Sequence, residues 1–156
     1  MKKTLQWAVA GLVAVVPFAL SAQAANYTYV GAKKCKMCHH IEYTSWQTTT
    51  HAKATDVAKA STKRTFGPEC LTCHATNHDA NMPGVQCEAC HGPGSAYKKF
   101  PIMKDRAKAM ANGLIIPSQK TCNQCHTGKG HSHKVDFKKE INNKAAIHKF
   151  KHPLTK

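Results

Sequence analysis

Apolar positions are distributed very unevenly along the chain. One long apolar run, Leu5 to Leu20, follows Lys2 and Lys3 and precedes Ala22-Gln23-Ala24. A basic start, a short apolar run and a small-x-small site make a secretory leader, cut after Ala24. The run is short for a transmembrane helix. The expected organisation is a leader over 1–24 and one domain over 25–156, with no membrane span in the mature chain. Beyond the leader, residues 41–63 are rich in alanine, lack glycine and proline, and predict a helix. A second helix is expected over 95–111, interrupted at Pro101 and ended by Asn112-Gly113. A third, over 136–150, opens on Asp136 as its N-cap. Gly92-Pro93-Gly94 is a sharp stop, and Ser118 can cap the turn into Cys122. The expected fold is mainly α with long loops.

Composition makes this pattern harder to understand. Without its first 24 residues the 156-residue chain keeps 132, of which Ile, Leu, Val and Phe supply 17, about 13%. The leader removes two of 23 basic residues, and the eight acidic ones remain, so the mature charge is +13. A chain this poor in large aliphatics and this charged is ordinarily disordered, because apolar burial does not offset the entropy of ordering. An ordinary globular enzyme with a core of its own side chains is excluded. Something else fills the centre, or the chain does not fold.

The cysteines supply the filler. All eight fall into C-x-x-C pairs, each followed by histidine: Cys35, Cys38 and His39; Cys70, Cys73 and His74; Cys87, Cys90 and His91; Cys122, Cys125 and His126. C-x-x-C-H is the attachment motif of c-type haem. Thiols three positions apart lie on one face of a turn and reach the two vinyl groups, and the next histidine is the proximal iron ligand. Zinc ribbons or disulfides would use C-x-x-C pairs without requiring the histidines. At the chain's histidine frequency of about 7%, four would follow four pairs by chance roughly once in 40,000. Four covalently bound haem c groups are therefore expected, forming the core of a compact multihaem cytochrome c. For 132 residues a radius of gyration of about 14 Å is expected, too small to keep four macrocycles apart. Their eight propionates lower the charge to about +9 oxidised or +5 reduced.

The motifs and their flanks resemble the tetrahaem cytochrome c-554 family. The resemblance is carried by Val30-Gly31-Ala32-Lys33-Lys34-Cys35, Ser45-Trp46, Thr50-His51-Ala52-Lys53-Ala54, Gly84-Val85-Gln86-Cys87-Glu88-Ala89-Cys90-His91-Gly92-Pro93-Gly94 and Lys120-Thr121-Cys122. It spans about 29–152. The best-known member of that family accepts electrons from hydroxylamine oxidoreductase. The resemblance implies that His51 is the distal ligand of the third haem, at His91. The fourth haem would draw its distal ligand from the C-terminal helix, where His152 and His148 compete. The family's distal histidine for the first haem has no counterpart in Ser95 to Lys104, where Met103 is the nearest substitute; His78, His131 and His133 are further candidates. The second haem, at His74, is five-coordinate in the best-known member, and His78 lies on the wrong side of its own turn to cap it. His40 is expected to be solvated.

These readings lead to a periplasmic tetrahaem cytochrome that shuttles electrons between redox partners in anaerobic or nitrogen-compound respiration, as a monomer and without transforming a substrate. The spread lysines fit donor and acceptor proteins with acidic docking surfaces, and the leader argues against nucleic acid. Two alternatives stand beside it: a small reductase of nitric oxide, nitrite or hydroxylamine at an open second haem, and a haem-wire or docked electron-transfer subunit.

Overall fold

A computed structural model describes residues 26–151; the expected leader and His152 lie outside them. The described chain has eight short α-helices: α1 (His40–Trp46), α2 (Ala54–Lys59), α3 (Leu71–His74), α4 (Cys87–His91), α5 (Phe100–Met103), α6 (Arg106–Ala111), α7 (Gln119–Cys122) and α8 (Phe137–Glu140). Among the described residues there is no strand, only isolated bridges from Ala75 to Pro83 and Gly84. No described helix is long and apolar enough to cross a membrane.

The three expected helices are broken, each for a local reason. Residues 41–63 split into α1 and α2 because the hydroxyls of Thr48 and Thr49 take the carbonyls of Ser45 and Trp46, at 2.8 and 2.7 Å. Such bonds compete with the helical ladder. Pro101 sits in the first turn of α5 instead of interrupting a longer helix, since proline suits a first turn. The break comes at Asp105, whose carboxylate caps α6 by accepting the Lys108 amide at 3.1 Å. Asp136 does cap α8. That helix ends at Glu140, and the Asn143 side chain then accepts the Ala145 amide at 3.1 Å and turns the chain away.

Three seams join the pieces. Near the start, Thr28 and Ser95 exchange hydrogen bonds, and Ala32 donates its amide to Gln86 Oε1 at 2.8 Å. At the end, residues 145–151 run antiparallel to α1 and the turn after it. Thr50 donates its amide to Ala145 O at 2.9 Å, Lys149 to Ser45 Oγ at 2.8 Å, and Lys151 to Glu42 Oε1 at 2.8 Å. In the middle, Trp46 Nε1 donates to Val85 O and the Val85 amide to His51 O, both at 2.8 Å. Gly84 lies in this seam with φ of 76°, and a Cβ there would stand 2.4 Å from the carbonyl oxygen of Ala52.

The buried apolar side chains among the described residues are Ala32, Tyr43, Ala75, Tyr97 and Ala109. The largest fully buried side chains are Glu88, Thr49 and Thr76, all polar. At about 25 cal/mol per Å² of apolar surface, so small a set falls far short of the ordering entropy of some 130 residues. The fold is a frame of hydrogen-bonded turns around something the polypeptide does not supply.

Candidate haem sites

Each C-x-x-C-H segment is a single turn. The His39 amide donates to Cys35 O and the His126 amide to Cys122 O, both at 2.9 Å. The second motif runs through α3, and the third is α4 itself. This geometry sets both sulfurs and the imidazole along one side of the turn.

The four turns lie close together. The Cys35 and Cys87 thiols adjoin and shift one another, lowering the pKa of Cys35 and, with burial, pushing Cys87 far up. Burial raises Cys90 to about 11, with Cys122 close by. Burial and the adjoining Cys73 raise Cys125 to about 12. The first turn thus adjoins the third, the third the fourth, and the fourth the second. The eight cysteines are unbridged, and among the described residues no three His, Cys, Asp or Glu side chains converge as a zinc ribbon requires. Thiols that resist ionisation are poor zinc ligands, whereas a thioether carries no charge for burial to penalise.

The histidines show what the turns are built to hold. An iron between two imidazole nitrogens sets their ring centres roughly 6.3 Å apart, given metal–nitrogen bonds of about 2.0 Å. Three pairs have this spacing: His74 and His131 at 6.0 Å, His51 and His126 at 6.1 Å, and His91 and His148 at 6.4 Å. Within them, Nδ1 of each of five rings is engaged with a backbone carbonyl. His51 bonds to Ala146 O at 2.8 Å, His74 to Ala54 O at 2.9 Å, and His91 to Ile115 O at 3.2 Å. His126 bonds to His133 O at 3.1 Å and His148 to Lys149 O at 2.7 Å. A proton fixed on Nδ1 leaves the Nε2 lone pair for a metal. Burial lowers the pKa of His51 and His91, with nearby histidines adding to the effect, and so favours the neutral ligand form. Imidazoles in facing pairs, cysteine pairs on single turns and a minimal apolar core fit haem.

The pairing differs from the one the resemblance implies. His51 faces His126, not His91, and His148 faces His91 instead of serving the fourth motif. The cause is the C-terminal seam. It fixes Ala146 against His51 and carries His148 past α1, towards the third turn. His131 stands at His74. His133 is edge-on to His126 at 5.0 Å, too close for an iron between them. His40 and His78 are exposed, and Met103 is half-buried at the end of α5.

Glu88 lies between the two cysteines of the third motif. It is one of the most buried side chains, 1% exposed. Its carboxylate accepts the amides of Val30 at 2.9 Å, Gly31 at 2.7 Å and Gly94 at 2.6 Å. It fastens the entry to the first turn and the exit from the third onto one residue between two cysteines. The only sequence signal is an acidic residue flanked at a distance by Gly31 and Gly94, which is weak.

Four C-x-x-C-H turns, three of them with a facing histidine, and almost no apolar core define a multihaem c-type cytochrome, with four covalently bound haem c groups. Comparison with known proteins shows what the chain is similar to. Residues 34–92 match the family described as cytochrome c554 and c-prime. The chain is 28% identical over 155 positions to cytochrome c-554 of Nitrosomonas europaea, an alignment covering 74% of this chain and 66% of that protein. Its fold matches the reduced state of cytochrome c554 from the same organism with a TM-score of 0.62 at 22% identity, over 80% of this chain and 86% of that one. The resemblance to the cytochrome c-554 family is thereby borne out. The chain spans about two thirds of the length of the relative it matches in sequence.

Proposed function

We propose that this protein is an exported electron carrier. Its leader over 1–24 is removed, and its mature chain works in the periplasm between a donor and an acceptor protein with acidic docking surfaces. Cys35 and Cys38, Cys70 and Cys73, Cys87 and Cys90, and Cys122 and Cys125 tether the four haems. His39, His74, His91 and His126 are the proximal ligands. His51 is the distal ligand at His126, and His148 at His91.

When bound, haem c supplies a one-electron ferric–ferrous couple at each site. The chain supplies position. The closeness of the first turn to the third, the third to the fourth and the fourth to the second carries this reading. Haems tethered at motifs whose cysteines adjoin in this way would be near enough for electrons to cross the protein without substrate chemistry. The backbone carbonyls at Ala54, Ala146 and Ile115 hold the imidazoles in one tautomer. Few groups then need to move when the charge of a site changes. The spread of lysines favours encounter with acidic partners, an effect that weakens with salt.

The test is to purify the protein from a host that attaches haem c and weigh it. The expected mass is that of a chain starting at Ala25 with four haems. The protein should then take up four electrons in a reductive titration and return them rapidly to an oxidised carrier. Fewer than four haems, or steady turnover of nitric oxide or hydroxylamine, would overturn the carrier reading.

A further inference from the structure

We infer that His131 is the sixth ligand of the haem tethered at Cys70 and Cys73, so that this iron is closed to outside ligands. The inference rests on the tetrahaem reading above and adds the state of one site. The resemblance to the cytochrome c-554 family implies the opposite, an open second haem.

Three observations carry it. His74 and His131 are 6.0 Å apart with ring planes inclined by only 15°, and the His74 Nδ1 contact with Ala54 O leaves its Nε2 as the free nitrogen. The loop bearing His131 is pinned at both ends to the fourth turn. Ser132 Oγ donates to Cys125 O and accepts the Thr127 amide at 3.0 Å, and His133 O meets His126 Nδ1 at 3.1 Å. Before these anchors the chain turns at Gly128 and Gly130, with φ of 75° and 62°, and His131 directly precedes the anchored Ser132. Finally, His131 shares a cleft of about 380 Å³ with Arg64, Thr65, Glu69 and Cys70 of the second motif's own approach. The fourth turn thus lends a histidine to the second.

Carbon monoxide and electron paramagnetic resonance test this on the full holoprotein. The wild-type ferrous protein should bind no carbon monoxide at the second haem, and the ferric protein should show a rhombic low-spin signal from near-parallel imidazoles. His131→Ala should gain carbon monoxide binding and high-spin iron at one haem in four and lose that rhombic signal. His133→Ala should change none of these. His131→Met, which keeps a sixth ligand, should stay closed to carbon monoxide and raise the potential of a single haem. It serves if the alanine variant does not fold. Carbon monoxide binding at the haem tethered to Cys70 and Cys73 of the wild type, or no change on His131→Ala, overturns the inference and leaves the carrier reading standing. A haem count other than four overturns both.

Discussion

His51 and Ala146 are joined by a 2.8 Å hydrogen bond from the imidazole Nδ1 to the carbonyl, although 95 residues separate them. The bond aims the His51 ring at His126, and the same C-terminal seam carries His148 to His91. His51→Ala is expected to open one haem in four to carbon monoxide and to produce high-spin ferric iron there. His148→Ala should do the same at a different haem, and the double variant at two. Spectra of the ferrous carbon monoxide adducts distinguish these outcomes. Identical spectra for the two single variants would show that both residues serve one haem.

Glu88 holds three backbone amides from two segments. Glu88→Ala leaves those donors buried and unpaired, at a cost of about 1–3 kcal/mol each when no water replaces the carboxylate. A destabilisation of at least ~3 kcal/mol is expected in guanidinium unfolding of the holoprotein. Glu88→Gln, which keeps an acceptor of the same shape, should lose less. Equal losses would show that packing volume, not the hydrogen bonds, is what matters.

Gly84 and Gly130 both have positive φ but different surroundings. A Cβ at Gly84 would meet the carbonyl of Ala52 at 2.4 Å, whereas at Gly130 nothing lies within 4 Å. Gly130→Ala should cost only the left-handed conformation, about 1–2 kcal/mol. Gly84→Ala adds a collision with backbone and should cost ~3 kcal/mol or more, with poor yield of holoprotein. Comparable unfolding midpoints for the two variants would contradict the seam between residues 51–52 and 84–85.

Asp105 caps α6 and is held below the ordinary carboxylate range, chiefly by the Lys108 amide and then by the Lys108 charge. Its pKa is lowered in the fold, so its stabilising contribution is complete above the unfolded value of 3.8 and is lost as pH falls through the folded one. Carboxyl resonances followed by NMR should show Asp105 titrating below the ordinary aspartate value. In Asp105→Asn, which keeps a capping oxygen, the local acid sensitivity of α6 should disappear.

The chemistry of the chain was legible because it is local. Cys35 to His39 and its three counterparts declare themselves within five residues, and Asp136 and Asn112-Gly113 mark helix ends by short-range rules. What was not legible is long-range. His51, His131 and His148 were all visible as spare histidines, but their assignment to particular turns depends on contacts such as Thr50 with Ala145 and Ser132 with Cys125. Helix lengths were overestimated where Thr48, Thr49, Asp105 and Asn143 turn their side chains onto the backbone. Apolar periodicity does not register such competition. Glu88 has no local signal of its role, and only the amides of Val30, Gly31 and Gly94 give it an interior one.

The five buried apolar side chains carry a consequence for how the molecule is made. A polypeptide with so little to bury gains almost nothing from collapse, so before attachment it should be an open strand with all eight thiols within reach of the attaching machinery. Each thioether then removes chain entropy and brings an apolar plane for neighbouring turns to close upon. Maturation and folding are one process in such a chain. A defect in any single C-x-x-C-H turn is therefore expected to appear first as degraded protein, not as a stable cytochrome lacking one haem.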